Sequence, residues 1–202
     1  MNTSSVGLFV GGRGSRLGGL AKGNLRTREG ERVIERLIAA CREALDEPNL
    51  ALVGAVDGYA DLGLPALADA PAGVGPIGGL RALLLAGAAR GVPSVLALAC
   101  DLPFLSARLI RRLATEELDA AFLSPRDGEF WQPLVARYDT SAALAAVDAA
   151  LAHGERALKS VPARLGPRAR ALSIDERERL ELRDCDSPAD LEAAGVTLPL
   201  RS

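Results

Sequence analysis

The residues best suited to do chemistry lie near the N-terminus, in the run Leu8-Phe9-Val10-Gly11-Gly12-Arg13-Gly14-Ser15-Arg16-Leu17-Gly18-Gly19-Leu20-Ala21-Lys22, which holds five glycines and three cations. Glycine lacks a Cβ and tolerates positive φ, so a loop of this kind can bring bare backbone N–H groups against phosphate oxygens. Arg16 and Lys22 add charge in different ways: a guanidinium grips two phosphate oxygens at once, whereas an ammonium acts as a mobile point charge. Two commoner phosphate loops are absent. The Walker pattern GxxxxGK[ST] fails because Lys22 lies between Ala21 and Gly23. The dinucleotide fingerprint GxGxxG fails because Gly12-Arg13-Gly14-Ser15-Arg16 is followed by Leu17. The bland alternative, a surface loop after an edge strand, is the weaker reading for a loop in this position.

The second chemical feature is Asp101, which closes the apolar run Val95-Leu96-Ala97-Leu98-Ala99-Cys100 and precedes Leu102-Pro103. A carboxylate at the end of a strand suits Mg²⁺, which takes one or two carboxylates together with phosphates and waters. Asp101 can also serve as a simple turn residue leading into the next helix. A third acidic group is Asp184-Cys185-Asp186-Ser187-Pro188. Alternate residues of an extended segment point the same way, so Asp184 and Asp186 can both face a metal; equally, Asp186 or Ser187 can cap a helix with Pro188 in its first position. Trp131, the sole tryptophan, can line a ring-binding pocket, although a lone tryptophan is more often a packing anchor. Arg156, Lys159 and Arg164 can hold an acceptor phosphate or simply be solvated. His153 is the only histidine, so Ser-His-Asp catalysis and multi-histidine metal sites lack their materials.

These groups need a scaffold that brings loops together. Short apolar runs bounded by Gly, Asp or Pro recur at Val6–Val10, Leu50–Val56, Ser94–Ala99 and Ala120–Leu123, and read as buried strands. Between them, Arg32–Leu45, Ile77–Ala89 and Ala107–Glu117 read as helices, the last with Ser106 as its N-cap. Phe130–Tyr138 reads as a strand broken by Pro133, and Ser141–Ala152 and Pro188–Ala194 as helices. Alternating strand and helix predicts an α/β fold with a mostly parallel sheet covered on both faces, binding its ligand at the carboxyl ends of the strands.

With 202 residues, 49% of them hydrophobic, the chain fits one large domain better than two small ones. The formal net charge of −2 lacks the basic footprint of a nucleic-acid-binding protein. Cys41, Cys100 and Cys185 are odd in number and without CxxC spacing, which argues against a disulfide framework and a zinc site and suits buried thiols in a reducing cytoplasm. No charged leader precedes an apolar run and no stretch reaches the roughly 18 apolar residues a bilayer span needs, so neither secretion nor membrane insertion is expected.

The pattern GGxxxRLGGxxK after the first strand resembles the signature LAGGxSxRMGxxxK of the molybdenum cofactor guanylyltransferase (MobA-like) family of the nucleotidyltransferase superfamily. Cys100-Asp101-Leu102-Pro103-Phe104-Leu105 is similar to its CDxPFL-type motif, and Asp69 to Gly79, DAPAGVGPIGG, to its D-x(n)-GPLxG segment. Asp184 to Leu191 resembles its NxNTPEDL stretch with Asp in both Asn positions, and Arg126 to Leu134 its acceptor-side stretch ending in (Q/H)PL. Four departures stand out: Phe9-Val10 replaces Leu-Ala, Gly14-Ser15 displaces the usual serine by one place, Ala21 stands where an acidic residue often precedes the lysine, and the base-reading Asn usual near Gly54 to Val56 is missing.

The resemblance implies a single-domain, Rossmann-like three-layer α/β/α fold of the nucleotide-diphospho-sugar transferase type, with a nucleotide-binding half over about 1–105 and an acceptor-binding half over about 106–202. It implies that Gly11, Gly12, Arg16, Gly18 and Lys22 bind the triphosphate, that the backbone at Phe9 and Val10 reads the base, and that Asp69 and Gly78 complete the nucleoside site. Asp101, aided by Asp186, would hold Mg²⁺, with Arg16, Lys22 and Asp101 as the catalytic set. The implied reaction is transfer of GMP from Mg-GTP to molybdopterin with release of pyrophosphate, accompanied by transient contact with other enzymes of the molybdenum cofactor pathway. Related cytidylyltransferases carry DxDTPEDL, so cytidylyl transfer and transfer to a sugar phosphate stay open, as does a nucleotide-binding accessory protein without catalysis. A dinucleotide-dependent oxidoreductase is disfavoured by the failed fingerprint.

Overall fold

The computed structural model describes residues 4–11, 13–14, 20–185, 190–192 and 195–198. Strand β1 (Ser5–Phe9) is buried along its whole length. The chain then forms the two-residue strands β2 (Arg13–Gly14) and β3 (Leu20–Ala21), paired antiparallel, and a short 3₁₀ turn over Lys22–Asn24. Helix α1 (Val33–Ala44) leads to β4 (Asn49–Val53) and the short β5 (Ala66–Leu67). Helix α2 (Pro76–Ala89) starts on a proline, whose missing N–H costs nothing in a first turn, and leads to β6 (Ser94–Ala99). Helix α3 (Ala107–Thr115) is capped by Ser106, whose side chain accepts from the Leu109 N–H at 3.2 Å. Strands β7 (Phe122–Asp127), β8 (Phe130–Trp131) and β9 (Val135–Asp139) are followed by α4 (Thr140–Ala152), α5 (Ser160–Leu165), β10 (Ala169–Leu172) and α6 (Glu176–Glu181).

The main sheet has the order β10-β7-β9-β6-β1-β4-β5, with β8 paired to β7. Pairings of β1 with β4 and β6, β4 with β5, and β10 with β7 are parallel; β9 runs antiparallel to both β6 and β7. The mostly parallel sheet expected from the alternation is therefore present, with one reversed strand inserted in its interior.

Alternation along the central strands sends residues to opposite faces. Val6, Leu8, Leu50, Leu52, Leu96 and Leu98 pack with Ile34, Leu37, Leu109 and Leu113 of α1 and α3. Val53, Val95, Ala97, Phe122 and Tyr138 pack with Leu80, Leu83, Leu84 and Val147 of α2 and α4. This gives the three layers. Gly7 in β1 lets α2 lie close: a Cβ there would stand 2.6 Å from Leu83 Cδ2 and 2.9 Å from Val53 Cγ2. A third, smaller cluster of Leu25, Val33, Cys185, Leu191 and Val196 ties the C-terminal segment to the region just after Lys22. Backbone bonds between Arg26 and Thr197, 2.9 and 2.8 Å, make the same link. Among the described residues no helix is long and apolar enough to cross a membrane.

Several boundaries move. The strand expected at Ala120–Leu123 runs over Phe122–Asp127, and that expected to reach Val56 ends at Val53. The segment Phe130–Tyr138 splits into β8 and β9 around Pro133, which thus needs no ladder donor. Of the helix expected over Pro188–Ala194, Asp190–Glu192 is helical and the rest lies outside the described residues.

Candidate functional site

β1 and β6 are parallel neighbours in register, Phe9 opposite Ala99, so the chain leaves both at the same edge of the sheet. The Cys100 N–H donates to the Phe9 carbonyl at 3.2 Å and holds the two exits together. From the β1 side, the β2–β3 hairpin returns the chain to Lys22; from the β6 side comes Asp101. Lys22 Nζ lies 3.0 Å from Asp101 Oδ2, with side chains only 16% and 21% exposed. That is shielded enough for the charges to feel each other strongly and open enough for a ligand to reach both.

The C-terminal segment closes onto the same place. The Cys185 N–H donates to the Asp101 carbonyl at 3.2 Å. A cavity of about 620 Å³ opens beside the pair, its wall including Asp101, Phe104, Gln132, Arg183, Asp184 and Asp190. A volume of this order suits a cofactor-sized organic ligand. Segment 182–185 is carried there by α6, which is anchored to α3: Glu178 accepts from Arg112 Nη1 at 2.7 and 2.6 Å, and Glu181 Oε2 accepts from the Ser106 N–H at 3.0 Å.

On the other side of β1, Phe9, Asp69, Gly78 and Gly79 form one cluster. A Cβ at Gly79 would lie 2.7 Å from Val53 Cγ1 and 3.1 Å from both Asp69 Oδ1 and Phe9 Cε1; one at Gly78 would lie 3.2 Å from Asp69 Cβ. The Ala70 N–H donates to the Gly78 carbonyl at 3.0 Å, tying the Asp69 turn to the start of α2. Val10 is buried and bonded to the Val53 carbonyl at 3.0 Å, and Gly11 follows it into solvent.

The structure thus gathers Phe9, Val10, Gly11, Lys22 and Asp101 around the ends of β1 and β6, with Asp69 and Gly78 beside Phe9. Gly12, Arg16, Gly18 and Asp186 lie outside the described residues. Trp131 behaves as a packing anchor: its ring meets Phe122 edge-on at 5.2 Å, with the Arg126 guanidinium 4.9 Å above it. Arg164 pairs with Glu155 at 2.6 Å. His153 ends α4, its Nδ1 2.7 Å from the Ala149 carbonyl. Burial, reinforced by the Asp101 charge, pushes the Cys100 thiol up to about 12, which removes it as a nucleophile near neutral pH.

Sequence reading missed Tyr59. It is 1% exposed, and its hydroxyl accepts the Gly23 N–H at 3.0 Å, one residue beyond Lys22. The only signal was a bulky aromatic standing in a Gly/Asp-rich turn.

The protein-family model described as MobA-like NTP transferase domain matches residues 7–169. The molybdenum cofactor guanylyltransferase of Pseudomonas fluorescens (strain SBW25) is 36% identical over 166 residues, covering 80% of each chain. The probable molybdenum cofactor guanylyltransferase of Opitutus terrae is 31% identical over 194 residues, covering 94% of each. Molybdopterin-guanine dinucleotide biosynthesis protein A from Archaeoglobus fulgidus, a solved structure, shares the fold with a TM-score of 0.73 at 23% identity, covering 95% of this chain and 96% of that one. The shared topology, the loop after β1 and the family match lead to one conclusion: this chain belongs to the family of MobA-like NTP transferase domains.

Proposed function

We propose that this chain transfers GMP from GTP to the terminal phosphate of molybdopterin. A phosphate oxygen of the acceptor attacks the α-phosphorus in line; as that P–O bond forms, the bond to the β-phosphate oxygen breaks and pyrophosphate leaves with the electron pair. Such a reaction needs positioning and charge compensation, not a side-chain nucleophile. The observation that carries the reading is the Lys22–Asp101 contact at 3.0 Å, a cation and a carboxylate shared between the two loops that flank the expected triphosphate.

In this reading the loop from Gly11 to Lys22 takes the phosphates, with Arg16 and Gly18 among the groups that hold them. Phe9, Val10, Asp69 and Gly78 take the nucleoside. The cavity bounded by Phe104, Gln132 and Arg183 suits an acceptor with a flat ring system and a phosphate. The carboxylate of Asp101 fits Mg²⁺, which needs few protein ligands when phosphates and waters complete its shell; Asp184 and Asp190 line the same cavity, but among the described residues no three such groups converge as a metal site. Asp101 would hold it, with Asp186 as a second carboxylate. When bound, the ion offsets the negative charge that accumulates on the departing pyrophosphate. The buried thiols of Cys41 and Cys100 suit a reducing cytoplasm as the setting.

The test is pyrophosphate release by the purified chain with GTP, Mg²⁺ and molybdenum cofactor, run in parallel with CTP and with sugar phosphates as acceptors. GTP-dependent release matched by dinucleotide product supports the proposal. A preference for CTP, which the Asp residues in the Asp184-Cys185-Asp186 stretch make worth checking, would move it to cytidylyl transfer. Nucleotide binding without release under any combination would leave a non-catalytic binder.

A further inference from the structure

We infer that Tyr59 is a positioning residue: its hydroxyl sets the place of Lys22 relative to Asp101. The inference rests on the nucleotidyl-transfer reading above.

Tyr59 precedes the short 3₁₀ turn Ala60–Leu62 and is packed in the core on the α1/α3 face of the sheet. Nothing in its position touches the cavity beside Asp101, so it can act on a reaction only through its neighbours. Those neighbours are telling. Its hydroxyl accepts the backbone N–H of Gly23, which follows Lys22, and its ring lies in the same core cluster as Cys100, which precedes Asp101. One buried side chain therefore holds the backbone next to Lys22 by a hydrogen bond and packs in the cluster that also holds the residue before Asp101.

The Gly23 N–H needs this acceptor. It lies in the first turn of the Lys22–Asn24 helix, where N–H groups have no partner within the helix, and Gly23 is buried away from water. The approach is also close: a Cβ at Gly23 would stand 2.8 Å from Tyr59 Oη and 3.2 Å from Ile34 Cβ, so only glycine fits without a shift. Asn24 Nδ2 donating to the Gly58 carbonyl at 3.2 Å adds a second tie between the same two segments. Lys22 is thus attached to a turn whose seat is fixed from below by Tyr59, and its ammonium reaches Asp101 from that fixed backbone.

The test is a cycle of four proteins: wild type, Tyr59→Phe, Lys22→Ala and the double variant. Tyr59→Phe keeps the ring and deletes the hydroxyl. We expect kcat/KM for GTP to fall about tenfold in Tyr59→Phe, the size of one lost charge-positioning hydrogen bond, and the same substitution to have little further effect once Lys22 is alanine. An equal loss in both backgrounds would make Tyr59 a general structural residue, and no loss in wild-type background would make its hydroxyl irrelevant; either overturns the inference. Should Tyr59→Phe fail to fold, Gly23→Ala presses on the same contact and is read in the same cycle. If the wild-type chain releases no pyrophosphate, the functional proposal fails, and the four proteins are compared instead by calorimetric affinity for GTP. Non-additivity between positions 59 and 22 still decides the role of Tyr59 there.

Discussion

Lys22 Nζ stands 3.0 Å from Asp101 Oδ2 although 79 positions of sequence separate the two residues. The contact is a product of topology. Parallel strands β1 and β6 finish at the same edge of the sheet; Asp101 follows β6, and Lys22 follows β3 after the chain has left β1. Without nucleotide, each charge compensates the other in a partly buried place where an isolated charge would be costly. In the proposed reaction a magnesium-bound triphosphate would offer Lys22 its phosphates and Asp101 its ion in place of this contact.

Lys22→Ala is expected to weaken Mg-GTP binding and turnover together, by about 1–3 kcal/mol, the range for a hydrogen bond to a charged group. Titration calorimetry and steady-state kinetics measure both quantities. Unchanged values would mean that the triphosphate lies elsewhere.

Asp101→Asn keeps the shape and removes the charge. Turnover is expected to drop by at least about a hundredfold, as for loss of a group that acts on transition-state charge, while GTP affinity should become nearly independent of Mg²⁺. Calorimetry with and without EDTA checks this. A variant whose GTP affinity still rises on adding Mg²⁺ would show that the ion is held by other residues.

Much of this arrangement could be read from the chain alone, because the informative segments are governed by local rules. β1 and β6 are apolar runs buried along most of their length, as is β4 beyond its exposed Asn49, Ser106 caps α3 as an N-cap serine should, and Asp101 stands two residues past the end of β6. What escaped is governed by partners distant in sequence. β10 reads Ala-Arg-Ala-Leu, with its middle residues exposed at the sheet edge, so its composition does not resemble a core strand. α6 reads Glu-Arg-Glu-Arg-Leu-Glu and is fixed by a capping box and by Arg112, not by an apolar stripe. The reversal of β9 leaves no mark on its composition. In the site, Lys22 and Asp101 were legible because each sits in a motif. Tyr59 was not, since its meaning depends on Gly23, 36 positions away.

Glu178→Ala tests the anchoring of the C-terminal segment. Glu178 is 1% exposed, accepts two contacts from Arg112, and closes the capping box of α6 with Asp175. Arg112 retains Glu116 as a partner. The expected destabilisation is therefore about 1–3 kcal/mol, below the full cost of stripping a buried ion pair. Because α6 carries segment 182–185 to the Asp101 carbonyl, acceptor KM should rise more than GTP affinity falls. Arg179→Ala, which breaks the exposed Arg179–Asp127 pair, is the control and should change stability by no more than about 0.5 kcal/mol. Equal effects from the two substitutions would remove the structural role assigned to Glu178.

Alkaline pH should destabilise the fold before it affects any surface charge pair. Burial raises the Cys41 thiol to about 12, and burial with the adjacent Asp101 charge does the same for Cys100; burial also holds the Tyr59 and Tyr138 hydroxyls well above their usual range. In the unfolded chain these thiols ionise near 9.0, so above that pH the unfolded state binds fewer protons than the folded one. Stability is therefore fully present below pH 9 and is lost as pH rises toward 12, each thiol contributing a slope of at most about 1.4 kcal/mol per pH unit. Urea midpoints should be level between about pH 7 and 8.5 and fall by about pH 10.5, and Cys41→Ala should make that fall shallower. A flat profile to pH 10.5, or one unchanged by Cys41→Ala, would contradict the assignment of a neutral, buried thiol at that position.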